Sequence, residues 1–273
     1  MPELPEVETT LRGIKPYSEG RVLTDVVVRN PNLRWPVPVA DLQNLIGQQL
    51  VRSERRAKYM LLHFTSKAVL VLHLGMSGSM RVLAIDVPPA KHDHIDLVFA
   101  QTHVIRFNDP RRFGCCLVIK PPINDHPLLS RLGPEPLTED FDGAYLFQRS
   151  RQKKMPIKNF IMDGTIVVGV GNIYASEALY TAGVRPTLAA GRLSKARYDR
   201  LASAIKAILS KAIYAGGTTL SDFTQADGKP GYFSQELQVY GRRGESCHQC
   251  NSVILAKVIG QRNSYFCPTC QRF

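Results

Sequence analysis

Four cysteines near the end of the chain have the spacing of a metal site. Two residues separate Cys247 from Cys250, and two residues also separate Cys267 from Cys270. Sixteen residues lie between the two pairs. Four thiolates in two such knuckles are the ligand set of a tetrahedral zinc site, whereas two disulfides are disfavoured in a reducing compartment. Because four protein ligands leave no open position, we expect one Zn²⁺ that stabilises a small hairpin and does no catalysis.

The N-terminus offers a second reactive group. Pro2 follows Met1, and removal of the methionine would leave a secondary amine whose reference pKa is about 8, so part of it is neutral at pH 7. Such an amine can attack an electrophilic sugar carbon and form a Schiff base. Glu3 beside it could move protons, and Lys58 or burial could lower the amine pKa. The alternative is that MPELPEVE only starts a helix, where an early proline is common.

The overall charge indicates what these groups act on. Lys and Arg total 35 against 23 Asp and Glu, which gives a formal charge of +12 at pH 7. Such an excess favours a polyanionic partner, with nucleic acid first and an anionic membrane surface second. The sequence has no apolar run of about 18 residues and no signal peptide, so we expect a cytoplasmic, nucleoid-associated protein without a membrane partner.

A helix and then a series of strands must position the N-terminal groups. Apolar residues at helical spacing predict a helix from Pro5 to about Lys15, which Pro16 and Gly20 should end. From about residue 21 to 120, short runs of β-branched and aromatic residues alternate with turn residues, a pattern typical of a β-sandwich or flattened barrel. The two cysteines in the last run are expected to be buried thiols. The predicted strands are VLTDVVVRN, YMLLHFT, AVLVLHL, SMRVLAI, HIDLVFA, HVIRFND and GCCLVIK.

The second half of the chain has helical patterns. RLGPEP, at 131–136, is a stiff linker candidate. NIYASEALYTA predicts one helix that Gly183 stops, and the segment from Ser194 to Tyr214 predicts a longer one. Residues 216–233 are rich in Gly, Asp, Thr and Ser without periodicity. A loop of that length inside a compact domain is usually functional or mobile.

Several motifs, in the same order along the whole chain, resemble those of formamidopyrimidine-DNA glycosylases, the Fpg/MutM group. The chain opens with MPELPEVETTLRG, whereas the related endonuclease VIII branch typically starts PEGPEI, so the Fpg branch is favoured. The other motifs are RRAKYMLLHF, HLGMSGSMR, KHDHIDL, DPRRFG, LGPEPL, VVGVGNIYASEALY, GGTTLSDF, DGKPGYF, QVYGR and the cysteine pairs.

The resemblance implies an α+β multidomain fold. A catalytic β-sandwich domain with an N-terminal helix is expected over 1–130. A helical domain with a helix-two-turn-helix motif is expected over 137–235 and includes a base-recognition loop at 216–233. A β-hairpin zinc finger should occupy 236–273. The implied function is a bifunctional DNA glycosylase/AP lyase of base excision repair. It would act as a monomer on double-stranded DNA and excise oxidised purines such as 8-oxoguanine and formamidopyrimidines.

The resemblance also implies the catalytic residues. The nucleophilic terminal proline falls on Pro2, the general acid/base on Glu3, and the lysine that assists elimination on Lys58. Arg262 corresponds to the hairpin arginine that contacts the phosphates flanking the lesion, and Glu6 is expected to lie beside the catalytic centre. Pro2 would attack C1′, the base would leave, and β- and δ-eliminations would cut both sides of the sugar.

A glycosylase that flips its target out of the base stack must fill the gap. The resemblance assigns this role to Met76, Arg111 and Phe113. From the residue types alone, Met76 and Phe113 would be core side chains, and Arg111 and Arg112 would form a surface ion pair with Asp109. Other implied DNA contacts are His73, His92, Lys153, Lys158 and Asn172, and the implied base-recognition residues are Glu6, Thr218, Thr219 and Tyr232.

Three other functions fit part of the pattern. A non-catalytic, damage-binding zinc protein explains the charge and the cysteines, but not the joint presence of Pro2, Glu3 and Lys58. An oxidised-pyrimidine glycosylase of the same superfamily shares the chemistry, but the GGTTLSDF motif argues against it. A zinc-ribbon RNA-binding factor would prefer RNA to duplex DNA. Salt dependence cannot separate these functions, because phosphate contacts weaken with salt in all of them.

Overall fold

The structure, a computed structural model, describes residues 2–101, 103–218 and 233–272. They form two compact units, one of Met1–Ser130 with Ala215–Ser234 and the other of Arg131–Tyr214 with Gln235–Phe273. The predicted α+β class is confirmed, because the first unit contains β-sheets and an N-terminal helix and the second is helical with a C-terminal hairpin. The three-domain division predicted from the sequence stays a prediction.

The first unit begins with helix α1, Leu4–Ser18, whose apolar residues at helical spacing are buried. The predicted end of the helix at Pro16 is wrong. A proline inside a helix lacks its own backbone hydrogen bond and crowds the preceding turn. The helix nevertheless continues through Pro16 to Ser18, whose Oγ donates to the Ile14 carbonyl at 2.9 Å in the last turn. Gly20, at φ +78°, follows the end of the helix.

The first unit contains strands β1 (Leu23–Val28), β2 (Leu50–Arg56), β3 (Tyr59–Phe64), β4 (Val69–His73), β5 (Ser79–Ala84), β6 (Asp93–Phe99), β7 (His103–Asn108) and β8 (Cys115–Ile119). They form two four-stranded antiparallel sheets, of order β1-β6-β7-β5 and β2-β3-β4-β8. Buried side chains from both sheets and from α1 form one core, as expected for a sandwich. All seven predicted strands are present, and β2 is an additional one. The unit also contains a short helix α2 (Val39–Gln43) and a 3₁₀ turn (Ile123–Asp125).

A charged cluster is buried in the first of these sheets. Arg106 on β7 donates two hydrogen bonds to Asp96 on β6, at 2.8 and 3.0 Å, and Arg29 donates a third. Burial opposes ionisation of Asp96, but the hydrogen bonds from the two arginines outweigh it and lower the Asp96 pKa. Arg106 also donates to the carbonyls of residues 87–88. The cluster therefore fixes the segment that leads to His92.

Helices α3 to α6 and a β-hairpin make up the second unit. Helix α5 is buried along residues 173–180, as expected for a helix that is apolar on most sides. Helix α6 buries one face, which includes Tyr198, Leu201 and Ile205. None of the described helices combines the length and the apolar character of a membrane span. The bounds are α3 (Gly143–Ser150), α4 (Ile157–Met162), α5 (Asn172–Thr181), α6 (Lys195–Tyr214), β9 (Leu255–Ile259) and β10 (Arg262–Phe266), with 3₁₀ turns at Ala190–Arg192 and Phe233–Glu236.

Candidate active site and zinc centre

Pro2 and Glu3 are both buried at the start of α1. Glu3 is the N-cap of the helix, and its N–H donates to Glu6 Oε2 at 2.8 Å, which is one half of a capping box between the two glutamates. A capping box fixes the direction in which the chain enters a helix. The Pro2 nitrogen is therefore attached to a rigid helix start and is adjacent in sequence to a buried carboxylate.

Lys58 lies in the two-residue turn between β2 and β3, after Ala57, whose φ of +55° is left-handed. Arg55 connects this turn to α1. Its Nε donates to Glu8 Oε2 at 2.9 Å, and its Nη1 donates to the Ala57 carbonyl at 3.0 Å. The Arg55 and Glu8 side chains are only 10% and 19% exposed, so salt screens this pair less than a surface pair. The turn that carries Lys58 is thus fixed relative to α1.

Glu6 joins the start of α1 to the base of the 216–233 loop. Its Oε1 accepts a hydrogen bond from the Thr218 N–H at 2.8 Å. The Phe233 N–H donates to the Gly217 carbonyl at 3.1 Å, so the two ends of the loop are paired. Gly217 has a φ of +83°, and a Cβ there would lie 3.1 Å from Glu6 Oε1, so this close approach favours glycine. Two other predicted loop contacts lie outside the described residues, namely Thr219 and Tyr232.

Two neighbouring turns carry the residues predicted to fill the gap in the base stack. Gly75, beside Met76, has a φ of +64°, and a Cβ there would lie 2.4 Å from the Phe113 backbone. The HLGMSG turn therefore packs directly against the DPRRFG turn. The Arg111 guanidinium lies 4.9 Å from the centroid of the Phe113 ring, and Phe113 is 44% exposed. Phe113 is thus a surface ring and not the core side chain that its type alone suggests.

Asp109 holds the DPRRFG turn from inside. Its carboxylate is fully buried and accepts from Ser77 Oγ at 2.8 Å and from the Gly114 N–H at 2.7 Å. Ser77 Oγ in turn accepts from the Arg111 N–H at 3.1 Å. The carboxylate therefore braces the turn backbone, in place of the surface ion pair with Arg111 that the sequence suggested. The Arg111 side chain is exposed.

His73, at the end of β4, has a defined tautomer. The Gly75 N–H donates to His73 Nδ1 at 2.9 Å, so the neutral ring carries its proton on Nε2 and can donate it to a phosphate. Burial, followed by the positive charges of Lys58 and Arg34, lowers the His73 pKa to about 4. Sequence reasoning missed Arg34, for which the LRW segment was the only signal.

We expect the His73 imidazole to stay neutral down to a pH of about 5, with its titration midpoint near 4. The unfolded residue has a pKa of about 6.5 and binds a proton first, so this group makes the folded state less stable as pH falls from 6.5 towards 4. Long-range ¹H–¹⁵N spectra of histidine-labelled protein would give both the tautomer and the midpoint of His73. A midpoint above 6 would contradict this description of the ring.

Lys158 and Asn172 meet at the start of α5. Lys158 is fully buried, and its Nζ donates to Asn172 Oδ1 at 2.5 Å and to Ser264 Oγ at 2.7 Å. Asn172 Nδ2 donates to the Asn263 carbonyl at 3.1 Å. The buried ammonium therefore links α4, α5 and β10. This arrangement suits a group that positions Asn172, and the predicted contacts of both residues with DNA stay predictions.

Three further residues that were predicted near DNA lie at the ends of elements or between them. Arg262 is exposed as the first residue of β10, after a turn in which Gly260 and Gln261 both have positive φ. Lys153 is exposed between α3 and α4, and His92, at φ +73°, directly precedes β6. Exposed cationic side chains are available to contact phosphates.

The four predicted zinc ligands form one cluster. Their Sγ atoms all lie within 4.8 Å of one another, with 3.9 Å between Cys247 and Cys270 and 3.4 Å between Cys250 and Cys267. Zn–S bonds of about 2.3 Å in a tetrahedron place the sulfurs about 3.8 Å apart, whereas a disulfide needs about 2.05 Å. The cluster therefore fits a single structural Zn²⁺, and the predicted cofactor is confirmed. When bound, the ion would hold the β9–β10 hairpin to the preceding knuckle.

Sequence reasoning missed Glu177, a buried carboxylate on α5. It accepts backbone hydrogen bonds from Gln238 at 2.9 Å, Val239 at 3.0 Å and Tyr240 at 2.8 Å. Burial raises the Glu177 pKa, although the three N–H donors oppose the shift. The carboxylate holds the segment that leads to the cysteine knuckles. A charged residue within the apolar helix NIYASEALY was the only signal.

Models of three protein domains match the chain in consecutive order. The formamidopyrimidine-DNA glycosylase N-terminal domain matches residues 1–116, the formamidopyrimidine-DNA glycosylase H2TH domain matches 132–224, and the zinc finger found in FPG and IleRS matches 244–272. Together with the cysteine cluster, these matches define a zinc-containing DNA glycosylase of base excision repair. The chain belongs to the formamidopyrimidine-DNA glycosylase family.

Relatives cover nearly the full length of the chain. The formamidopyrimidine-DNA glycosylase of Actinobacillus pleuropneumoniae serotype 7 is 57% identical over 272 residues, which are 99% of this chain and 98% of the relative. A structure of Lactococcus lactis Fpg (MutM) with DNA that contains N7-benzyl-Fapy-dG is 33% identical, with a TM-score of 0.92 and full coverage of both chains. A MutM complex with DNA that contains carbocyclic 8-oxo-G is also 33% identical, with a TM-score of 0.91 and full coverage of both chains.

Proposed function

We propose that the chain is a bifunctional DNA glycosylase/AP lyase that excises oxidised purines from duplex DNA with the Pro2 amine as its nucleophile. The observation that carries the proposal is the start of α1, where the buried Pro2 and Glu3 are adjacent and Glu6 contacts the base of the 216–233 loop. The family membership and the lesions bound by the two solved relatives, a formamidopyrimidine and an 8-oxoguanine analogue, support the substrate class.

The proposed reaction begins once Met1 has been removed. The Pro2 nitrogen attacks C1′ of the damaged nucleotide, the bond between C1′ and the base breaks, and the base leaves with the electron pair. Glu3 donates a proton to the departing or ring-opening group and later accepts one. Opening of the sugar ring produces an iminium between Pro2 and C1′. Covalent catalysis of this kind divides one difficult displacement into easier steps.

Two eliminations then release the sugar from the strand. Loss of a C2′ proton expels the 3′ phosphate, and a second elimination expels the 5′ phosphate, which leaves a one-nucleotide gap. The positive charges of Lys58 and Arg262 stabilise the departing phosphates. His73, as a neutral Nε2–H donor, and Asn172 would bind phosphates. Lys153, Lys158 and His92 would contact or approach the DNA beside them. We expect the protein to act as a monomer in the cytoplasm, in association with the nucleoid.

The residues that would fill the gap in the stack are Met76, Arg111 and Phe113. Their two turns pack against each other, and the exposed Phe113 ring lies against the Arg111 guanidinium. A ring can wedge a base step, and a guanidinium can hydrogen-bond the orphaned base. Unstacking the target base costs on the order of a few kcal/mol. Side chains that fill the gap offset this cost.

The experiment that tests the proposal is borohydride trapping. Processed protein is incubated with a duplex that carries 8-oxoguanine opposite cytosine, and borohydride then reduces any iminium and fixes the protein to the strand. We expect a covalent complex with wild type, less with Pro2→Gly, and none when Met1 is retained. A protein that binds the duplex but neither traps nor cuts would leave a damage-binding protein as the better interpretation. Preferential trapping on an oxidised pyrimidine would indicate the alternative substrate class.

A further inference from the structure

Tyr180, near the end of α5, has its hydroxyl against one of the zinc-binding cysteines. The Tyr180 Oη lies 3.2 Å from Cys247 Sγ, and the Gln249 Oε1 is further away at 3.5 Å. The tyrosine is only 9% exposed and belongs to the apolar cluster, with Val239 and Ile254, that surrounds the cysteines. Most of the tyrosine side chain is therefore withdrawn from water.

Zinc ligation fixes the direction of this hydrogen bond. A zinc-bound cysteine is a thiolate, which can accept a hydrogen bond but has no proton to donate. The Tyr180 hydroxyl is then the donor. Its single proton goes to Cys247 Sγ in preference to Gln249 Oε1, because a hydrogen bond to an ionised acceptor is the stronger one and the sulfur is closer.

We propose that Tyr180 is a positioning residue of the zinc centre, whose hydroxyl orients the Cys247 thiolate, draws negative charge from it and slows loss of the metal. Groups that hydrogen-bond to metal ligands fix the ligand geometry, and their removal typically costs about 10- to 100-fold in metal affinity. The same bond links α5 to the zinc finger. It adds to the Glu177 contacts with residues 238–240 and to the contact of Asn172 with β10.

The test uses the full chain with Tyr180→Phe, which deletes one oxygen atom and keeps the ring. In competition with a chelator, the affinity of this variant for Zn²⁺ should fall by about tenfold or more. With Co²⁺ in place of zinc, the sulfur-to-metal charge-transfer band should move to lower energy, because the sulfur keeps more charge. Alkylating reagents should also release zinc from the variant faster than from wild type.

The matched control is Tyr198→Phe. Tyr198 is a fully buried tyrosine of the same unit, and its hydroxyl donates to the Ala190 carbonyl at 2.9 Å. This variant loses a comparable buried hydrogen bond away from the metal. It should therefore keep the wild-type Zn²⁺ affinity and cobalt spectrum, so a general loss of stability is distinguishable from an effect on the thiolate.

A second replacement makes the outcome independent of the folding of Tyr180→Phe. Incorporation of 3-fluorotyrosine at position 180 keeps the shape of the residue and makes its hydroxyl a stronger donor. The cobalt band should then move to higher energy, opposite to the shift in Tyr180→Phe. A band at the wild-type position with fluorotyrosine, or an unchanged Zn²⁺ affinity in a folded Tyr180→Phe protein, would overturn the proposal.

Discussion

A chain with Glu3→Gln is expected to release 8-oxoguanine about 10²- to 10⁴-fold more slowly than wild type, which is the range for loss of a general acid/base. Glutamine keeps the length of the side chain, and the Glu3 N–H that donates to Glu6 Oε2 belongs to the backbone. The start of α1 and the position of Pro2 should therefore be retained. The Glu3 side chain also accepts from the backbone N–H of Glu6 in the capping box, and the glutamine Oε1 can accept the same bond, whereas an amide cannot transfer the proton.

Single-turnover rates on a duplex with 8-oxoguanine opposite cytosine measure this effect, and binding is measured separately on a duplex with an uncleavable abasic analogue. We expect binding to stay close to wild type. Glu54→Gln is the matched control, because Glu54 is a partly exposed carboxylate of the same unit that pairs with His63 at 2.8 Å. It changes the net charge equally and should keep the wild-type rate. A Glu3→Gln enzyme at the wild-type rate would remove Glu3 from the proposed chemistry.

Local patterns explain why much of the fold was predictable. The predicted strands are apolar runs with β-branched residues, and each turns at least one face to the core. Strand β2 was missed because LVRSERR is mostly charged. Only Leu50 and Ser53 in it are buried, and it lies at the edge of its sheet beside β3. The segment becomes a strand because it pairs with β3, and no pattern within its own sequence predicts that pairing.

The residues of the candidate site also fall into two groups, those that a local sequence pattern predicts and those that only the folded chain brings together. The cysteine spacing is a local pattern and predicts the zinc site by itself. The Pro2–Glu3 pair is also local, but an early proline is common at a helix start, so its catalytic role was predicted only through the family resemblance. The hydrogen bond from Thr218 to Glu6 joins residues 212 positions apart, and no local pattern contains it.

Buried polar groups were the least predictable part. Lys158 was predicted only as a residue that contacts DNA, and nothing in the sequence indicated that it is fully buried, where Asn172 and Ser264 accept its hydrogen bonds. A buried charge is tolerated only when such partners are present. Those partners come from other elements, so they become visible only in the folded chain.

Removal of zinc should have the largest structural effect. The hairpin has a small core of its own, and in β9 only Ile259 is buried. Structural zinc contributes about 10–16 kcal/mol of apparent binding free energy in comparable small modules. We expect Cys267→Ala to lose the metal and the order of β9 and β10, while the two sheets of the first unit stay folded. Because Arg262 starts β10, affinity for the duplex should fall about 100-fold, as for loss of a central arginine contact.

Cys115→Ala separates loss of zinc from loss of a buried thiol. Cys115 is 1% exposed in β8, and burial raises its pKa to about 12, so it stays a thiol and does not compete for the metal. This variant should keep one zinc ion per chain and the hairpin resonances in amide spectra. Metal content, those resonances and duplex binding are measured for both variants. If Cys267→Ala kept an ordered hairpin and wild-type affinity, the core of the hairpin would suffice without the ion, and Arg262 would be positioned by the contacts of α5 with the zinc finger.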